Sequence, residues 1–187
     1  MNIVVGITGA SGAIYGIRLL EILSEKKHKI DLVVSPWAKK TIQFETDYSL
    51  EEVLSLADTV HDYHDLAASI ASGSHRVDAT VIAPCSMKSL AAIAHGYADN
   101  LISRAADVAL KEKRKLILVP RETPLNLIHL ENMRLAVAAG AVLLPPMPSF
   151  YHRPESIDDI VNQTVGKILD MLDIPHELFR RWGEGNE

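Results

Sequence analysis

Residues 81–90 (VIAPCSMKSL) place a possible nucleophile directly before a possible anion-binding helix start. Cys85, the only cysteine of the chain, would need a neighbouring base such as histidine to form a reactive thiolate. The first histidine after it, His95, lies about ten positions along the predicted helix, or about 15 Å by helical rise. We therefore expect Cys85 to be a small buried residue. In Ser86-Met87-Lys88-Ser89, Ser86 either caps the helix or helps to bind an anion.

A second candidate anion site follows the first predicted strand. Gly9-Ala10-Ser11-Gly12 offers backbone N–H groups and a hydroxyl at a helix start, where a phosphate is stabilised. The stretch is neither the G-x-G-x-x-G dinucleotide fingerprint nor a P-loop, and a plain tight turn is the alternative. Two helix starts that face one crevice would suit the phosphate of a mononucleotide.

Several cations and a phenol are candidates for binding a second anionic group. They are Arg104, Lys111, Arg121, Lys167 and Tyr151. Taken singly, each cation is more often a solvated surface charge. Arg121 has the stronger case, because it stands with Glu122 directly at a predicted strand end.

No metal site is expected. His61 and His64 could share a helical face, but no third ligand has metal-site spacing. A position on the surface is enough to explain both histidines.

The elements that must position these residues alternate along the chain. Short apolar runs predict strands at 2–7, 29–35, 79–83, 115–119 and 141–144. Helical patterns cover about 14–23, a stretch from 36 onward, 86–95, 100–113, 126–138 and 155–172, and a capping box at Ser49 opens a short helix. Continuous apolar strands alternating with helices indicate a doubly wound α/β domain with a mostly parallel sheet. Such folds bind ligands outside the carboxyl ends of the strands.

Composition excludes several classes of function. The chain has 187 residues and a formal net charge of −5 at pH 7, so it lacks the basic footprint of a nucleic-acid-binding protein. The longest apolar run, 135–144, is too short to span a bilayer, and the first residues lack the positive region of a signal peptide. One cysteine excludes an internal disulfide and fits a reducing compartment. We expect one cytoplasmic domain over residues 1–187, with no nucleic-acid or membrane partner.

Six short motifs, taken together and in order, resemble one known family. They are Gly9-Ala10-Ser11-Gly12, Ser72-Gly73-Ser74, Pro84 to Ser89, Arg104 to Val108, Pro120 to Leu125 and Phe150 to Pro154. Each motif is modest alone. In this order, over about residues 2–182, they closely resemble the UbiX/phenolic acid decarboxylase family of flavin prenyltransferases.

The resemblance implies a fold, an assembly and a reaction. Each protomer would be a flavodoxin-like, Rossmann-like three-layer sandwich, assembled as a trimer-based homododecamer with active sites at trimer interfaces. Reduced FMN would be joined at N5 and C6 to the dimethylallyl group of dimethylallyl phosphate, without a metal. The product, prenylated FMN, would serve a UbiD-type aromatic acid decarboxylase as its cofactor. The tail at about 176–187 would pack on a neighbouring protomer.

The resemblance also assigns ligands, residue by residue. The FMN-binding positions match Gly9, Ala10, Ser11, Ser35, Ser86, Met87, Lys88, Ser89 and Arg121. Tyr151 and Lys167 match positions that hold dimethylallyl phosphate, with Lys111, Glu45 and Arg104 expected in the same pocket. Relatives often have arginine where Lys167 stands, and lysine keeps the charge but lacks the bidentate fork of a guanidinium.

Four residues are expected to act in catalysis. Glu122 matches the carboxylate that moves protons beside the flavin, and Ser11 would orient groups near N5. By analogy, the aromatic face of Trp182 would stabilise an allylic cation, while nearby cations stabilise the departing phosphate. Glu45 is placed with them in the donor pocket.

Two other functions stay open from the sequence. A flavin-dependent cysteine decarboxylase has a similar fold, but it relies on a catalytic histidine, a Pro-Ala-Ser-Ala-Asn-Thr run and a Pro-x-Met-Asn element. Here Lys88 stands where the first asparagine is expected, and Pro145-Pro146-Met147-Pro148 lacks the second. A non-catalytic FMN carrier or electron-transfer module would need no second phosphate pocket, so Lys111, Tyr151 and Lys167 argue against it.

Overall fold

A computed structural model of the chain describes residues 1–183. Six strands form one parallel sheet in the order β3-β2-β1-β4-β5-β6. The strands are β1 (Asn2–Ile7), β2 (Lys29–Val34), β3 (Thr59–His61), β4 (Ala79–Cys85), β5 (Lys115–Pro120) and β6 (Val142–Leu143). The sheet is parallel throughout, as the continuous apolar runs predict.

Within residues 1–183, seven α-helices and one short 3-10 helix (Ser69–Ala71) accompany the sheet. The α-helices are α1 (Ala13–Glu25), α2 (Pro36–Glu45), α3 (Leu50–Ser55), α4 (Met87–Ala94), α5 (Leu101–Lys111), α6 (Leu127–Ala138) and α7 (Ile157–Met171). Ser49 and Glu52 form the predicted capping box at α3. Within the described residues 1–183, no helix combines the length and the apolar character needed to cross a membrane.

Helices cover the sheet on both faces, and alternate residues of β1 show this directly. A side chain at Gly6 would lie 3.2 Å from Ile102 of α5, whereas the next residue, Ile7, faces the Gly16 position of α1. The buried core on the α5 side also includes residues of α4 and α6. The predicted doubly wound α/β fold is therefore confirmed.

The third strand is the one the sequence did not predict. It has only three residues, of which Val60 is half-exposed, so no apolar run marks it. It pairs with β2 at the edge of the sheet, where His61 Nε2 lies 2.7 Å from the buried Asp31 Oδ1. The expectation that His61 shares a helical face with His64 and lies on the surface is wrong, because the residue belongs to a strand and bonds to a buried carboxylate.

The chain divides into two compact units, Met1–Pro145 and Pro146–Glu187. The first contains the sheet and helices α1 to α6. The second contains α7 and a tail that returns to it: a side chain at Gly166 would lie 2.5 Å from Phe179 and 2.7 Å from His176. The tail therefore packs on a helix of its own chain. Packing on a neighbouring protomer stays a prediction, and its residues 184–187 lie outside the described part.

Candidate active site

A cavity of about 380 Å³ opens at the carboxyl ends of β1, β2 and β4. Its lining residues are Thr8, Gly9, Ser35, Pro36, Trp37, Tyr63, His64, Ser86, Lys88 and Ser89. This is the edge at which parallel α/β sheets bind ligands, and the volume is that of a typical cofactor pocket. Five of the expected flavin ligands, Gly9, Ser35, Ser86, Lys88 and Ser89, are brought together here.

Two helices begin at the wall of this cavity. Ser35 caps α2 and accepts a hydrogen bond from Ala38 N at 3.2 Å, while Ser86 caps α4 and accepts one from Ser89 N at 3.3 Å. Each helix start carries partial positive charge, and Lys88 adds a full charge. The two starts therefore create a site for an anionic group such as a phosphate.

Thr8 supports this wall from below. Its buried hydroxyl donates to the Pro84 carbonyl at 2.8 Å and accepts from Ser86 N at 2.8 Å. The end of β1 is thereby tied to the start of α4. Thr8 was not expected in this role, because a threonine after a strand carries no motif.

The turn after β1 packs closely against Trp37 and is bonded to the carboxylate of Glu45. A side chain at Gly9 would clash with Trp37, so glycine lets α2 approach the turn. Glu45 Oε2 accepts hydrogen bonds from Gly12 N at 2.7 Å and Ala13 N at 3.4 Å. These N–H groups at the start of α1 already have an anionic acceptor, so a phosphate is better served by α2 and α4.

The other expected flavin ligands do not line the cavity itself. Ala10 is buried and Ser11 is exposed in the turn. Met87 is partly buried and packs against the hydrophobic core. Arg121 is exposed at the end of β5, where its N–H donates to Cys85 O at 3.2 Å.

The charge of Arg121 acts on Tyr15, a residue that the sequence did not suggest as part of the site. Burial raises the pKa of the Tyr15 phenol, and the positive charge of Arg121 partly offsets this rise. Glu122 follows Arg121 and is exposed, with Oε1 accepting from Thr123 N at 3.0 Å. The Glu122 carboxylate therefore faces solvent at the end of β5.

Cys85 is fully buried, as expected. Burial raises the pKa of its thiol to about 12, so almost no thiolate exists at neutral pH. The residue is therefore a packing group.

Two expected donor ligands lie away from the cavity of their own chain. Lys111 is the last residue of α5 and forms an ion pair with Glu112. It lies four positions before Lys115, the first residue of β5, and Lys115 is the strand partner of Ala79 at the start of β4. Lys111 is thus at the amino edge of the sheet, opposite the cavity. Arg104 is half-buried and bonds to Ala71 O at 3.0 Å and Asp107 Oδ2 at 2.6 Å.

The remaining candidates belong to the C-terminal unit. The rings of Tyr151 and Trp182 meet edge to face, with centroids 5.6 Å apart. Lys167 Nζ lies 3.3 Å from Asp170 Oδ2, and Arg181 bonds to the same carboxylate. Burial acts to raise the pKa of Asp170, but the hydrogen bonds from Arg181 and Lys167 outweigh it and lower the pKa to about 2.

Two aromatic residues of the cavity, Trp37 and Tyr63, were not expected from the sequence, and His64, which is exposed as expected, was not expected to line a cavity. Trp37 lies two positions after Ser35, close to the end of β2, and this position after a strand is a signal that could have revealed it. Tyr63 and His64 follow the unpredicted β3, and their rings meet edge to face at 4.9 Å. Among the residues that the structure describes, no group of three or more His, Cys, Asp or Glu could hold a metal ion.

The chain is similar in sequence to a known protein family and to individual members of it. The Flavoprotein family model matches residues 1–171. The flavin prenyltransferase UbiX of Thauera aromatica is 58% identical over 187 residues, which are 100% of this chain and 96% of that protein.

Two solved structures are similarly close. The crystal structure of AnUbiX (PadA1) in complex with FMN and dimethylallyl pyrophosphate has a TM-score of 0.95 and 51% identity, and the match covers 97% of this chain and 96% of that one. The dodecameric FMN-dependent UbiX-like decarboxylase from Escherichia coli O157:H7 has a TM-score of 0.95 and 52% identity, covering 97% and 99%.

Proposed function

The chain belongs to the flavoprotein family and, within it, to the UbiX flavin prenyltransferases, and from this premise we propose how its residues carry out the reaction. The protein is a transferase that joins the dimethylallyl group of dimethylallyl phosphate to reduced FMN. The observation that carries the proposal is the cavity where two capped helix starts meet at the carboxyl edge of the sheet.

This cavity fits the phosphate end of FMN. The starts of α2 and α4, with Lys88, supply the positive potential that a phosphate dianion needs, and the Ser35, Ser86 and Ser89 hydroxyls supply donors. Trp37 adds an apolar wall. Gly9, Ala10, Ser11, Met87 and Arg121 complete the FMN-binding set that we propose.

A second set of residues holds the prenyl donor. We assign the donor phosphate to Tyr151 and Lys167, because a phenol and an ammonium both donate hydrogen bonds to phosphate oxygens. As the carbon–oxygen bond to phosphate breaks, negative charge grows on the leaving group, and a fixed cation stabilises it. The face of Trp182 stabilises the positive charge that develops on the allyl carbon atoms.

Three residues near the turn and at the end of β5 complete the chemistry. Glu122 moves protons during closure of the new ring, since a carboxylate is a common general acid–base group and this one is exposed at the end of β5. Ser11 orients groups near N5. Glu45 holds the Gly12 amide and thereby fixes the turn that carries Ser11, in addition to its place in the donor pocket.

We infer that a complete site needs more than one copy of the chain. Lys111 lies at the sheet edge opposite the cavity, so in our proposal it serves the donor pocket of a neighbouring copy. The Escherichia coli O157:H7 relative is dodecameric, and we propose an assembly of this kind in which Lys111 of one copy meets the donor pocket of the next. Arg104, with two internal bonds, belongs to this interface in our proposal.

The chemistry of the reaction product indicates which enzyme would use it. Prenylated FMN is a cofactor for UbiD-type aromatic acid decarboxylases, so we propose that the protein supplies such an enzyme. A cytoplasmic location is part of this proposal, since the free thiol of Cys85 fits a reducing compartment.

The test is anaerobic incubation of the protein with FMN, a reductant and dimethylallyl phosphate. We expect a flavin adduct heavier by one C5 prenyl unit in the mass spectrum. Dimethylallyl pyrophosphate, the compound in the AnUbiX crystals, is the parallel donor. Absence of the mass increase with both donors would overturn the proposed function.

A further inference from the structure

One carboxylate of the C-terminal unit, Asp170, bonds to three side chains that carry positive charge or an imidazole: Lys167, His176 and Arg181. Asp170 Oδ1 lies 3.1 Å from His176 Nε2 and 2.8 Å from Arg181 Nη2. Asp170 Oδ2 lies 3.3 Å from both Lys167 Nζ and Arg181 Nη1. The same side chain therefore fixes a cation on α7 and both ends of the tail segment 176–181.

The tail continues from this carboxylate to the proposed donor ligands. Trp182 follows Arg181 directly, and its ring packs on Tyr151. On the other side, Phe179 packs on His176 at 5.4 Å and on His152 at 6.4 Å, and His152 packs on Tyr151 at 5.5 Å. The contacts form a closed loop that begins and ends at Asp170.

Two features show that this loop has a defined structure. The Arg181 guanidinium contacts Asp170 with two nitrogens and lies 5.5 Å from the Phe179 ring centroid. Gly166 allows the close approach, because any larger residue would meet Phe179 and His176. Bidentate pairs of this kind restrict geometry more than a single contact does.

We propose that Asp170 is a positioning residue for prenyl transfer, which holds Lys167 and the Tyr151–Trp182 ring pair in one arrangement for the prenyl donor. The inference rests on the proposed roles of those three residues. Asp170 itself touches neither substrate. Its carboxylate reaches the phosphate ligand Lys167 directly and reaches the ring pair through Arg181.

The charge balance of the cluster supports this role. Asp170 contributes one negative charge, while Lys167 and Arg181 contribute two positive ones, so the cluster keeps a net positive charge when His176 is neutral. It therefore still attracts a phosphate. Lysine has a flexible stem and no fork, so a fixed anion beside it reduces the freedom lost when the donor binds.

The test is Asp170→Asn, with Asp158→Asn in the exposed first turn of the same helix as the matched control. For Asp170→Asn we expect a 10- to 100-fold rise in KM for dimethylallyl phosphate, with an unchanged Kd for FMN. Trypsin should also cleave after Arg180 and Arg181 at least tenfold faster, because the tail has lost its anchor. The control should match the unmodified protein in all three measurements.

A second variant covers the case in which Asp170→Asn does not fold. Arg181→Gln keeps the contact between Asp170 and Lys167 but removes the bidentate tail contact. It should also raise KM and speed cleavage after Arg180, the trypsin site of this pair that the variant retains. Faster cleavage with unchanged KM would overturn the positioning role, and so would unchanged cleavage. If the unmodified protein forms no adduct, the proposed function fails instead, and the cleavage result still reports on the anchor.

Discussion

The Thr8 hydroxyl accepts a hydrogen bond from the Ser86 amide at 2.8 Å and donates one to the Pro84 carbonyl at 2.8 Å. These two bonds cross from the end of β1 to the start of α4, directly beneath the proposed phosphate site. The side chain is almost fully buried, so water cannot replace either bond. Thr8 thus sets the position of the Ser86 cap relative to the Gly9 turn.

Replacing Thr8 by valine should therefore weaken both the fold and flavin binding. Valine has nearly the same shape but leaves the Ser86 N–H without a partner, which costs about 1–3 kcal/mol. We expect a lower urea midpoint and an FMN Kd raised by about tenfold, measured by flavin fluorescence. Thr8→Ser keeps the hydroxyl and is the matched control. A valine variant that binds FMN normally would show that the wall does not depend on this bond.

Glu122→Gln should separate flavin binding from chemistry. Glutamine keeps an oxygen that can accept from the Thr123 amide, as Glu122 Oε1 does at 3.0 Å, so the loop should keep its structure. It cannot take up a proton at neutral pH, and general acid–base catalysis is typically worth about 10²- to 10⁴-fold. We expect slow adduct maturation in single-turnover spectra, with the FMN Kd changed less than twofold. Normal turnover would remove Glu122 from the mechanism.

Cys85→Ala should retain prenyl transfer, because a thiol whose pKa is about 12 supplies no nucleophile at pH 7. Iodoacetamide should leave the native protein unlabelled at pH 8 and label it in urea. Because the pKa is raised on folding, the unfolded thiol ionises first, so its stabilising contribution is full below pH 9 and falls as the pH rises toward 12.

The alanine variant should lose less stability than the unmodified protein between pH 9 and 12, measured by urea midpoints. Rapid labelling of the native protein would contradict the buried assignment. Loss of prenyl transfer in a folded Cys85→Ala protein would restore the thiol to the mechanism.

Lys111→Ala should abolish efficient prenyl transfer while leaving each protomer folded, because its side chain lies at the end of α5 beside Glu112. If Lys111 serves a neighbouring copy, mixed oligomers of Lys111→Ala and Glu122→Gln protomers contain some sites with both residues intact. Co-expression should therefore recover activity that neither variant shows alone. No recovery in confirmed mixed oligomers would place Lys111 outside the neighbour's site.

Much of the fold follows from local sequence patterns. The five predicted strands are all present. Each is marked by an apolar run of a few residues followed by a helix signal, and both patterns can be recognised from neighbouring residues alone. The serine caps at Ser35, Ser49 and Ser86 are equally local. The edge strand β3 was missed because its three residues obtain their conformation from pairing with β2, a contact distant in sequence.

The candidate site also contains some residues that local motifs predict and others that only long-range contacts bring to it. Motifs that follow strands identified Gly9, Ser35 and the Ser86–Ser89 segment, since the carboxyl ends of parallel strands meet at one edge. No local pattern places Tyr63 and His64 at the cavity, because they reach it only through the pairing of β3 with β2. Glu45 and Gly12 are 33 residues apart, and no local pattern predicts that a carboxylate on one helix caps another.

The sequence by itself determined the class of fold, the edge of the sheet at which the cavity opens and, through six ordered motifs, the family. These features depend on short-range periodicity and on residue types. Tertiary structure alone decided that Thr8 supports Ser86, that Lys111 lies at the edge opposite the cavity, and that Asp170 holds Lys167 and the tail. Each of these depends on the distance between atoms that the folded chain brings together, and hydrogen bonds and ion pairs form only within about 3–4 Å.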